Sequence, residues 1–117
     1  MTEYDARRQN QAPIAARDFD LVLAHGPNPT TIESALNING TVMSLFVVVP
    51  NLTGVGGCTV YLVTSEGREF WNSGNIAESA THHLQPGISL IDSDKIKIVT
   101  VDNQVADMTF GIESRHA

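Results

Sequence analysis

The residues best equipped for metal or proton chemistry are two adjacent histidines, His82 and His83. Imidazole binds metals and exchanges protons near neutral pH. Their spacing works against a shared metal, because neighbours in an extended strand point to opposite faces. His25 and His116 lie near segment ends and add no ligand spacing. "DSD" at 92–94 sets Asp92 and Asp94 two apart, as at the start of a calcium loop. Calcium asks for roughly six to eight oxygens, and the glycine and distant glutamate of an EF-hand loop are missing. The stretch therefore reads as a solvated turn, or at most a weak Ca²⁺ site. Cys58 is the only cysteine, so no internal disulfide exists; within an apolar strand it reads as a buried, inert thiol. No Gly-x-Ser-x-Gly elbow is present, and "GVGG" at 54–57 lies between two strands instead of opening a helix. A small enzyme would need a concave polar pocket around His82 or His83. The sequence points instead to a protein without catalysis, cofactor or metal.

The chain has 117 residues, enough for one domain with its own core. Charged residues are only 17%, with a net charge of -6. The seven basic residues are scattered, which argues against nucleic acid and against anionic membranes. The polar start, "MTEYDARRQNQAPIAARD", is neither a signal peptide nor a membrane span, so synthesis in a cytoplasm is expected and the "NGT" and "NLT" sequons carry no weight.

The elements that must position these residues are strands. Residues 1–16 lack periodicity and read as an N-terminal arm, with residues 17–117 forming the domain. "RDFDLVLAH" alternates, with Phe19, Leu21 and Leu23 on one face and Asp18 and Asp20 on the other. "GPNPT" is a loop, and "TIESALNING" does not settle its period. In "TVMSLFVVVP" the expected inward face is Met43, Leu45, Val47 and Val49. "CTVYLVTSEGREFW" reads as a hairpin, with Gly67 in the left-handed position of a bulged turn. A turn is expected at Ser73-Gly74, then a strand closed by Pro86-Gly87. "DKIKIVTVD" and "VADMTFGIES" read as the arms of a second hairpin around Asp102-Asn103-Gln104, with Ala106, Met108, Phe110 and Ile112 inward. The whole is all-β: an antiparallel β-sandwich of seven to eight strands, jelly-roll or immunoglobulin-like.

The first hairpin is apolar on both faces. Cys58, Val60 and Leu62 point one way, Tyr61 and Val63 the other, and Phe70 and Trp71 oppose each other. A sheet packed on one side only shows polar residues on the other, so this second face needs cover. Tyr61, Val63 and Trp71, with Arg7, Arg8 and Ile14 of the arm, are the candidate interface residues. Trp71, Tyr61, Phe46 and Tyr4 are the aromatics that an alternative role, carbohydrate binding, would expose.

The stretch "ALNINGTVMSLFVVVPNLTGVGGCTVYLVTSEGREFWNSGNIAES", followed by "DKIKIVTVDNQVADMTFGIES", resembles small structural proteins of tailed bacteriophages, over roughly residues 17–113. The likeness is one of strand and turn order. It implies a head decoration, or cement, protein: a sandwich on the outer capsid surface, commonly a trimer, clamping neighbouring major capsid protein subunits. The implied location is the virion and the implied partners are the major capsid protein and other copies of the chain. Closed symmetry is the common state of oligomers, and a homotrimer would cover the hairpin's second face. The resemblance transfers no catalytic or binding residue. The alternative reading is a non-catalytic module of a phage tail or adhesin that recognises host-surface carbohydrate.

Overall fold

The computed structural model describes residues 15–23, 31–54, 56–102, 104 and 106–116, with backbone alone at 15–18 and 23. Among these residues all regular structure is β: β1 (Ala15–Leu23), β2 (Thr31–Ala35), β3 (Gly40–Val49), β4 (Cys58–Val63), β5 (Glu69–Ile76), β6 (Ala80–Leu84), β7 (Ile88–Leu90), β8 (Lys95–Thr100) and β9 (Met108–His116). The expected loop at 26–30 and most of the expected arm lie outside the described residues. Ala15 and Ala16 already belong to β1.

Two antiparallel sheets form a β-sandwich. One runs β1-β9-β3-β6, with β7 also on β3; the other runs β2-β8-β4-β5. The pairing is nested: β1 with β9, β2 with β8, β3 with β6 and β7, β4 with β5. The chain is thus one long hairpin rolled across two sheets, which is the jelly-roll arrangement. An immunoglobulin-like order would keep the first two strands in one sheet; here β1 and β2 lie in different sheets. β6 and β7 share one strand position, parted at Pro86-Gly87, so the nine segments fill eight places.

Alternation places the core. Leu21, Leu45, Val47, Phe110 and Ile112 face inward from one sheet and Cys58, Val60, Leu62, Ile96 and Ile98 from the other, all buried. Three expectations fail at irregular rungs. Met43 is 47% exposed, because a register shift between Val42 and Ser44 turns Val42 inward in its place. Phe70 and Trp71 do not oppose each other. A bulge leaves Phe70 unmatched while Trp71 stands opposite buried Leu62, and both rings pack against the core. Ser73-Gly74 is not a chain-reversing turn. It is a second bulge inside β5, held by the Val60 amide donating to Ser73 Oγ (3.0 Å).

The expected β8–β9 hairpin is also replaced. The two strands sit in different sheets, so residues 101–107 cross between layers and Ala106 is exposed. Gln104 is buried in this crossing. The glycines at 54–57 let the loop after β3 lie against it. A Cβ at Gly56 would strike the Val101 side chain, and one at Gly57 the Ile76 carbonyl. The β4–β5 turn does follow the sequence. The Gly67 amide donates to the Thr64 carbonyl (2.8 Å), and Gly67 has φ +88°.

Candidate interaction surface

The hairpin that is apolar on both faces finds most of its cover within the chain. Val63 is fully buried, and Trp71 is half-buried against the core. Tyr61 is half-buried on the outer face, with Lys97 Nζ 5.0 Å from its ring centroid. That ammonium also donates to Glu69 Oε1 at 2.8 Å. Of the candidate interface residues, Tyr61 keeps part of its ring in solvent and Val63 offers none. Arg7, Arg8 and Ile14 lie outside the described residues. Trp71 and Tyr61 therefore make no open platform for a sugar, since Trp71 faces inward and Tyr61 lies under a cation, while Tyr4 lies outside the described residues.

Exposed apolar surface appears instead on the outer face of the β1-β9-β3-β6 sheet. Val22 on β1 is 53% exposed, and Val48 on β3 is 48% exposed. Between them β9 carries Gly111, opposite both Val48 and Asp20 in register. A Cβ there would sit 3.4 Å from the Val48 side chain, which therefore lies close over the glycine. Further along β3, Phe46 stacks on His83 with centroids 4.3 Å apart and planes 8° apart. The Arg115 guanidinium lies 5.6 Å from the Phe46 centroid and reaches Glu113 Oε1 at 3.1 Å. A sheet face turned to water is ordinarily polar. This one carries valines, a methionine at its end and a stacked aromatic pair.

The chemical candidates disperse. His83 lies on the outer face, its Nε2 3.1 Å from Ser44 Oγ, while His82 stands opposite buried Val47 with Nε2 2.7 Å from the Ala77 carbonyl. The two rings face opposite ways, as alternation requires. Asp94 is buried and uses its carboxylate on its own turn, accepting from the Ile91 amide at 3.0 Å, whereas Asp92 is exposed. Among the described residues no three His, Cys, Asp or Glu side chains cluster as a metal site would need. A cleft of about 270 Å³ opens between the β4–β5 turn and the β7–β8 turn, lined by Arg68, Ile91 and Asp94 among others. No histidine lines it. Cys58 is fully buried, and burial pushes its thiol up to about 12.

Sequence reasoning missed the outer valines. The signal was present in "SLFVVV", where Phe46 and Val48 alternate with Leu45, Val47 and Val49, so β3 is apolar on both faces. Among the described residues no helix is long and apolar enough to cross a membrane. No protein-family model matches the chain, and no curated protein matches it. Among solved structures it is similar to a chain of the structure of infectious bursal disease virus Gt strain, at 16% identity and a TM-score of 0.44. The match covers 89% of this chain and 32% of that one, so the chain spans about a third of the viral protein's length.

Proposed function

We propose that this chain is a structural protein of a bacteriophage virion that docks on the outer capsid surface and stabilises the head. The observation that carries the proposal is the outer face of the β1-β9-β3-β6 sheet, where Val22, Val48 and the Phe46–His83 stack form apolar surface that no element covers among the described residues. Contiguous apolar surface rimmed by polar groups marks protein contacts. The polar groups here are Glu113, opposite Phe46, Asp20, across Gly111 from Val48, and Arg115 beside the Phe46 ring. The strand and turn order that resembles tailed-phage decoration proteins supplies the biological setting. The jelly roll offers a rigid wedge, and a net charge of -6 suits a shell exterior better than contact with packaged DNA. The partner is the major capsid protein, and copies associate as a trimer around a local three-fold axis. No reaction is part of this role.

The test is co-sedimentation of the purified protein with heads assembled from the major capsid protein of the genome that encodes it. The expected result is saturable binding at a fixed number of copies per head, together with a higher temperature of DNA release. Absence of binding at micromolar protein overturns the proposal.

A further inference from the structure

Buried charges are ordinarily paired with an opposite charge or a metal. Asp94 is 6% exposed, yet among the described residues no ion pair with Lys, Arg or His reaches its carboxylate. One carboxylate oxygen is accounted for. Asp94 Oδ2 accepts from the Ile91 amide at 3.0 Å, and the Asp94 amide donates to the Ile91 carbonyl at 2.9 Å. That turn needs only one side-chain acceptor, which Asn or Ser would supply as well. The second oxygen, Oδ1, has no hydrogen bond among the described residues and is not sealed from solvent. Asp94 lines the cleft of about 270 Å³ between the β4–β5 and β7–β8 turns, and that is the space to which this oxygen opens.

The other walls restrict what fits. The charged groups are Glu66, Asp94 and Arg68, two carboxylates against one guanidinium. Among the described residues neither Glu66 nor Arg68 is in an ion pair. Thr64, Ser65 and Ser93 add hydroxyls, and Ile91 adds an apolar wall. Ile91 is 60% exposed, and both of its backbone groups are tied to Asp94. The facing turn is closed by the Gly67 amide on the Thr64 carbonyl and by the Arg68 amide on Thr64 Oγ1 at 3.1 Å. An excess of carboxylate selects a cation, free oxygens select N–H donors, and the isoleucine selects an aliphatic stem. A primary alkylammonium has all three: a compact charge, three donors and a methylene chain. A metal ion would lack ligands, because among the described residues no three His, Cys, Asp or Glu side chains cluster.

We infer that this cleft binds a primary alkylammonium group, from a partner's lysine or a free aliphatic diamine, with the nitrogen on Asp94 Oδ1 and the methylene chain against Ile91. The inference stands apart from the virion reading and requires no capsid.

The test titrates the full chain with cadaverine and, separately, with lysine blocked at both backbone ends. Backbone amide shifts are followed by NMR, with sodium chloride at matched ionic strength as the blank. Saturable shifts at Ser65, Arg68, Ile91 and Ser93 are expected. Acetylating the blocked lysine on its side chain removes the charge and abolishes them. Asp94→Asn keeps an acceptor for the Ile91 amide and puts an N–H donor where the cation would sit. It weakens binding at least about tenfold. Glu66→Gln, on the exposed turn, weakens binding several-fold and tests the proposal even where Asp94→Asn does not fold. Tighter binding of the blocked lysine assigns the site to a partner's side chain, and tighter binding of cadaverine assigns it to a free amine. Absence of saturable shifts at tens of millimolar amine overturns the proposal. So does binding that both substitutions leave unchanged, or calcium that shifts the same amides at lower concentration than either amine.

Discussion

Gln104 holds Thr53 by both of its backbone groups. Gln104 Oε1 accepts from the Thr53 amide at 2.7 Å, and Nε2 donates to the Thr53 carbonyl at 3.2 Å. The same Nε2 donates to the Asp102 carbonyl at 3.0 Å. A side chain from the β8–β9 crossing thus does for the loop after β3 what a neighbouring strand would do. Gln104→Ala would leave buried backbone groups without partners, at roughly 1 kcal/mol per net hydrogen bond plus desolvation. The expected loss is about 3 kcal/mol, read as a lower urea midpoint with an unchanged slope.

Ser114 is the opposite case. Its side chain is fully buried on the inward face of β9, and its hydroxyl has no hydrogen-bond partner among the described residues. An unsatisfied buried hydroxyl costs about 1–3 kcal/mol. Ser114→Ala is expected to raise stability by about 1 kcal/mol, measured by the same urea titration. A destabilised variant would show that the hydroxyl has a partner after all.

The Cys58 thiol is out of reach of solvent and of its normal acidity. Burial raises it from 9.0 to about 12. Below pH 9.0 the folded and unfolded chains both keep the proton, and the residue adds no pH dependence. Above that, the unfolded chain releases its proton first, so this group's contribution to stability falls as pH rises from 9.0 towards 12. At pH 8 a thiol reagent is expected to label the protein only as fast as it unfolds. Rapid labelling of native protein would contradict the burial.

Val48 tests the outer face without touching the core. It is 48% exposed, and its neighbour Gly111 has no side chain to clash with a replacement. Val48→Asp is expected to change unfolding stability by less than about 1 kcal/mol. It is also expected to weaken binding to heads by at least tenfold, because burying an unpaired carboxylate in an apolar contact costs more than about 1.4 kcal/mol. Sedimentation with heads and urea unfolding separate the two effects.

Strand positions were legible wherever alternation ran unbroken. Leu21, Ile96, Ile98, Phe110 and Ile112 face inward as their spacing says. The misassigned faces are Met43, Phe70 and Ala106. The first two sit at bulges, where a single extra residue reverses the alternation. Ala106 precedes the start of β9. The hairpin expected around Asp102 could not be separated from a crossing between sheets, because a turn composition does not say which strand the chain will meet next. The choice of jelly roll over immunoglobulin-like order also rests on pairing across the whole chain, β1 with β9 and β2 with β8. Local pattern carries no such information. The outer surface was missed for a different reason: in β3 both faces are apolar, so periodicity does not tell the core side from the solvent side.

The nested pairing also sets a clock. β9 lies between β1 and β3, so these two strands are not joined into one sheet until residues 108–116 arrive. During synthesis the first sheet has a gap in its middle, and only β3 with β6 and β7 can form there early. Pairings this distant in sequence make for slow folding. A chain cut short before Met108 would present two open edges, on β1 and on β3. Arrival of β9, and not of the strands before it, is therefore the step that closes the first sheet.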